Sequence, residues 1–105
     1  MNEGKPAVQE LIDFLKVQKP IHALRWSDPL FKAALHLAKA QGPTGQTGHT
    51  GPDGSTMVSR INDEMDWEAT IGENVMYGAG TPLEAVLSLA IDDGLKSRGH
   101  RRNIF

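Results

Sequence analysis

The sequence predicts a mainly helical α+β domain, with about four helices and one short strand. Three observations carry this expectation. Apolar residues recur at helical spacing in four separate segments. Helix-start chemistry stands in front of several of them, at Pro6, at Ser27-Asp28-Pro29 and at Thr81-Pro82-Leu83-Glu84. Only one stretch reads as extended, the glycine-bounded "GENVMYG" of residues 72–78.

In the first segment Val8, Leu11, Ile12 and Leu15 follow Pro6 at helical spacing and predict a helix to about Val17, stopped by Lys19-Pro20. The "IHALRW" that follows reads as an extended connector to Ser27. Ser27 is an N-cap, Asp28 suits the positive end of the helix dipole, and Pro29 fits the first turn. Leu30, Ala33, Ala34, Leu37 and Ala38 then share one face, and the helix ends near Gly42. "TMVSRINDEM" predicts a third, short helix with Met57 or Val58, Ile61 and Met65 inward. The fourth starts with a capping box at Thr81 and Glu84, carries Leu83, Val86, Leu87, Ala90 and Ile91 as one stripe, and stops at Gly94. The tail "LKSRGHRRNIF" holds four of the eleven Lys and Arg residues and ends on an apolar pair.

A length of 105 residues suits a single domain spanning 1–105. With 39% apolar residues and a net charge of −2 the chain can build a core, and it does not have the basic balance of a general nucleic-acid binder. The absence of cysteine excludes disulfides, zinc–thiolate sites and thiol catalysis. No apolar run reaches transmembrane length, so a membrane-spanning protein is not expected. The start "MNEGKPAVQE" has no signal-peptide core, so the chain is either cytoplasmic or one whose targeting segment lies outside this sequence.

Between the second and third helices lies "GPTGQTGHTGPDGST", five Gly-X-Y triplets in register. It is too short and too poor in proline for a collagen helix. A flexible linker is the plain alternative. A glycine loop of this length inside a compact domain is often functional, and this one contains His49. Asp92-Asp93 is a second irregularity. Two carboxylates at the negative end of a helix are misplaced by about 0.3–1 kcal/mol each, which calls for a cation such as Lys96, Arg98, His100, Arg101 or a metal. His36 and His22 read as ordinary surface and connector residues, whereas His49 and His100 sit among glycines and polar residues. Glu73 opens an apolar run where packing gives a carboxylate no reason to be. Two imidazoles with Glu73 and an aspartate would suit a divalent ion such as zinc or an acid–base site, although their spacing forms no local ligand motif.

The segments "GHTGPDGS", "GENVMYG", "TPLEAVLSLAIDDG" and "SRGHRRNIF" resemble, in that order, the motifs of the CAP superfamily, the SCP-like group of cysteine-rich secretory proteins, antigen 5 and pathogenesis-related-1 proteins, in its cysteine-free bacterial and protist branch. The opening "VQELIDFLKVQKPIHALRWSDPLFKAALHLA" is similar to that family's first two helices. The resemblance implies an α-β-α sandwich, here with one or two short strands, because the family's later strands have no counterpart before Phe105. It also implies a cleft with His49 and His100 as its histidines and Glu73 and Asp92 as its acids, with Asp93 competing for the Asp92 position. Asn74 would hold the strand start, and Arg101 and Asn103 the loop after His100.

The function implied is that of an extracellular or periplasmic binding module. Its cleft would accept a divalent metal, zinc before others, and its partners would be lipids, sterols or cell-surface molecules. The alternatives are a metal-assisted hydrolase of peptides or esters with Glu73 as general base, and an inert interaction fragment. Ser55 and Ser97 read as cap and turn residues, not nucleophiles. An exposed strand edge at residues 73–77 would invite pairing with a second copy.

Overall fold

A computed structural model describes residues 2–105 of the chain. It contains five helices: α1 (Lys5–Val17), α2 (Asp28–Gln41), α3 (Met57–Asn62), α4 (Pro82–Ile91) and α5 (Gly99–Ile104). No strand occurs among the described residues, which corrects the expected α+β class and the α-β-α sandwich. Residues 72–78 run as irregular chain, so there is no strand edge to pair with another copy. A lone strand cannot satisfy its own backbone groups, and no partner strand is present to do so.

The chain divides into two compact units. One joins the described part of Met1–His22 to Met76–Phe105, and the other is Ala23–Val75. In the first, α1 packs on α4 and α4 on α5. Proline in the first turn starts α1, and Ala7 and Leu11, one turn apart, are its buried residues. Phe14, one further turn on, meets Phe105 edge to face at 5.4 Å between centroids. The α4 capping box forms as its sequence dictates: the Thr81 hydroxyl accepts from the Glu84 N–H, and the Glu84 carboxylate accepts from the N–H groups of Thr81 and Gly80.

The apolar stripe of α4 is another matter. Ala90 is buried, but Leu83, Val86 and Leu87 are exposed. The fifth helix, α5, was not expected from the basic tail. Its stability comes from outside its own sequence, through contacts described below.

In the second unit α2 packs on α3. Ser27 caps α2 as expected, and the buried residues are Ala33, Leu37 and Gln41, spaced by four, while Leu30, Ala34 and Ala38 stay exposed. The buried stripe is therefore narrower than predicted, and it ends on a glutamine whose amide donates to the Gly48 carbonyl at 2.8 Å. The third helix is shorter than the run from Thr56 to Met65. Thr56 and Ser59 cap each other reciprocally, Met57 faces inward in preference to Val58, and Ile61 and Arg60 are buried.

The glycine loop between α2 and α3 is tied to itself. The Gly51 N–H donates to the Ser55 carbonyl at 2.8 Å and the Gly54 N–H to the Gly51 carbonyl at 2.9 Å. A Cβ on Gly51 would lie 2.5 Å from Asp53 Oδ1 and 2.7 Å from Ser55 Oγ, so a larger residue there would require those two side chains to move.

Candidate functional site

Arg60 organises the Ala23–Val75 unit. Its side chain is 1% exposed, the largest fully buried one among the described residues. One terminal nitrogen donates to the Ser55 carbonyl at 3.0 Å and to Ser55 Oγ at 3.3 Å. The other donates to the His49 carbonyl at 3.1 Å and to Glu73 Oε2 at 2.7 Å. A planar fork of donors can tie two points of the glycine loop and a carboxylate together in this way, which a lysine could not.

The second oxygen of Glu73 faces His49. Oε1 lies 2.8 Å from Nδ1 of the imidazole. A carboxylate paired with a guanidinium only accepts, so Nδ1 carries the proton and donates it, and Nε2 is the nitrogen the ring has to offer. The His49 side chain is 56% exposed while Glu73 is 16% exposed and Arg60 is buried. The result is a series running from the interior to the surface: guanidinium, carboxylate, imidazole.

A second histidine–carboxylate pair stands nearby on α2. His36 Nε2 lies 2.6 Å from Asp53 Oδ2, and Asp53 Oδ1 accepts from the Ser55 N–H at 3.1 Å. The contacts with His36, and then with Ser55, hold the Asp53 carboxyl well below the usual carboxylate range. His36 had read as an ordinary helix-surface residue. The signal was absent from its helix and lay in the "GPDGS" turn that delivers Asp53 to it.

The other unit holds Asp92 and His100. Asp92 closes α4 in the left-handed conformation (φ 55°) and its side chain is 5% exposed. Oδ1 pairs with His100 Nδ1 at 2.8 Å, and Oδ2 accepts from the His100 backbone N–H at 2.9 Å, which caps the start of α5. Asp93 takes no part in this. Its oxygens accept from the backbone N–H groups of Asn2 at 2.7 Å and Glu3 at 2.6 Å.

The adjacent aspartates thus have separate tasks, and Asp92 is the one that meets a histidine. The two carboxylates are met by backbone N–H groups and the His100 ring, while arginines answer the last carbonyls of α4. Arg101 donates from Nε to the Ala90 carbonyl at 2.6 Å and from a terminal nitrogen to the Ile91 carbonyl at 3.0 Å, satisfying the last carbonyls of α4. Arg98 donates to the Asp92 carbonyl at 2.7 Å and pairs with both Glu3 and Glu10 at 2.7 Å.

Each of the four expected site residues is therefore in a histidine–carboxylate pair: His49 with Glu73 in one unit, Asp92 with His100 in the other. The residues that sequence reasoning missed are the supports Arg60, Glu3 and Glu10; Arg98, expected only as a possible cation for the two aspartates, pairs with Glu3 and Glu10. Arg101, expected as an anchor, ties α5 to the end of α4.

Zinc needs three or four donors converging on one point. No group of three or more His, Asp or Glu side chains able to hold a metal ion occurs among the described residues. Among the described residues no helix is long and apolar enough to cross a membrane. No family profile, curated protein or solved structure matches the chain.

Proposed function

We propose that the chain is a binding module of the SCP-like kind, working outside the cell, with His49 as its principal contact residue and a lipid, a sterol or a cell-surface molecule as its partner. The observation that carries this reading is the series Arg60–Glu73–His49, with Glu73 bridging at 2.7 and 2.8 Å. The resemblance behind it lies in the motifs around His49, Glu73, Asp92 and His100, not in the sandwich that the family implies.

The chemistry of the series suits recognition. With Nδ1 engaged, the Nε2 lone pair accepts a hydrogen bond from a hydroxyl such as that of a sterol or a lipid head group. Because Glu73 is itself held by a buried arginine, the ring keeps one orientation, and a ligand need not order it on binding.

A hydrolase remains as the second reading, with a changed cast. Both oxygens of Glu73 are taken, by His49 and by Arg60, so it serves as an orienting group and not as the general base. The base this geometry offers is His49 Nε2. Ser55 is engaged by Arg60 and is no free nucleophile.

Titration with a fluorescent sterol, comparing the parent chain with His49→Ala, tests the reading. The expected result is saturable binding weakened about tenfold in the variant, the order of one lost hydrogen bond. Equal affinity in the two proteins contradicts it. Ester turnover that disappears in His49→Ala would move the assignment to the hydrolase.

A further inference from the structure

We infer that one face of α2 binds a phosphate monoester carried on a small apolar group, with Lys32 and Lys39 as its charged contacts and His36 between them. Lys32, Leu35, His36, Lys39 and Ala40 fall at i, i+3, i+4, i+7 and i+8, so they make one stripe along the helix, beside the buried stripe of Ala33, Leu37 and Gln41. These five line an open hollow of about 470 Å³, a size that suits a small molecule. Leu35 and Ala40 are half-buried and give the hollow apolar ground, while the two lysines and His36 are exposed.

The charges around the hollow name the ligand. Lys32 and Lys39 stand one turn to either side of His36, and neither ammonium has an ion-pair or hydrogen-bond partner among the described residues, whereas Lys16 on α1 pairs with Asp13 at 3.6 Å. Asp28, one turn before Lys32, is turned instead to the Trp26 indole, whose N–H donates to it at 2.6 Å. His36 is held in place: Nε2 lies 2.6 Å from Asp53 Oδ2, and Asp53 Oδ1 accepts from the Ser55 N–H at 3.1 Å. Both Asp53 oxygens are thus engaged within the protein. With Nε2 given to Asp53, the ring offers Nδ1, which donates to an anionic oxygen when the imidazole is protonated. Two ammonium groups on flexible stems can converge on one point, and together they match the nearly two negative charges of a phosphate monoester at neutral pH. A carboxylate would engage only half of that charge.

Calorimetric titration of the full chain with phenyl phosphate tests the inference. The expected result is saturable binding of one molecule per chain with a Kd of about 1 mM or tighter, at least about fivefold tighter than inorganic phosphate. Lys32→Met with Lys39→Met should weaken it at least about tenfold, and both positions are exposed, so the variant should fold. Lys5→Met with Lys19→Met removes the same charge from the other unit and should leave the affinity within about twofold, since distant surface charges are screened. The absence of saturation overturns the inference. So does phenyl phosphate binding no tighter than inorganic phosphate, or an equal loss in the two double variants. In the parent chain, proton–nitrogen NMR should show the His36 ring responding to phenyl phosphate ahead of His22, and the reverse order would also overturn it. Vesicles containing phosphatidic acid identify the source of the ester: displacement of phenyl phosphate assigns the site to a lipid head group, and its retention assigns the site to a soluble molecule, the inference standing in both cases.

Discussion

At the scale of single residues, the chain places a buried cation where its sequence reads as a surface helix. Arg60 stands in "MVSRIN", and nothing within a turn of it announces burial. Its carboxylate partner comes from thirteen residues further on. His49 and Glu73 were legible, because a histidine among glycines and a carboxylate ahead of an apolar run both break local rules. Arg60 breaks none until the loop closes over it.

The consequence is measurable. Glu73→Ala should cost about 3 kcal/mol, the lower end for removing one partner of a buried ion pair, since Glu73 keeps some solvent contact while Arg60 has almost none. Urea denaturation would show it, and a loss below about 1 kcal/mol, the scale of a surface pair, would mean that Arg60 is not held as described.

At the scale of elements, helix starts were readable and helix contacts were not. Ser27 and Thr81 both cap as their sequences dictate, since capping is decided within four residues. The strand expected at residues 72–78 and the unpredicted α5 fail for one shared reason: each depends on partners distant in sequence. A strand needs a neighbour, and α5 needs Asp92, seven residues before its start. Periodicity also overstated the buried faces of α2 and α4, because it reports which residues could be covered and not what covers them.

Asp92 tests this reading of α5. Asp92→Ala removes the cap and leaves an alanine in left-handed backbone, so it should cost about 2 kcal/mol or more from the cap and the strained conformation together. Amide exchange should quicken first at Arg102 and Phe105, whose N–H groups close α5. Unchanged exchange there would show that α5 stands without the carboxylate.

For the molecule as a whole, falling pH should first loosen the unit that joins the described part of Met1–His22 to Met76–Phe105. The Arg98 guanidinium, followed by the Gly94 N–H, draws Glu3 from 4.5 down to about 2, and Arg98 also lowers Glu10. A carboxyl with a depressed pKa contributes stability that is full above its unfolded value and disappears as pH falls through its folded one. The melting temperature should therefore fall between about pH 4.5 and about pH 2, and Asp53, held lower still, extends the loss at the acid end. In Arg98→Met the slope across that window should flatten. An unaltered slope would place the acid sensitivity elsewhere.

The most direct test of the functional reading is the tautomer of the His49 ring, read from long-range proton–nitrogen NMR of the imidazoles. The Arg60–Glu73–His49 series predicts that the neutral imidazole keeps its proton on Nδ1, towards Glu73 Oε1, and that this preference is lost in Glu73→Ala. A proton mainly on Nε2, or the same mixture of tautomers in parent and variant, would contradict it.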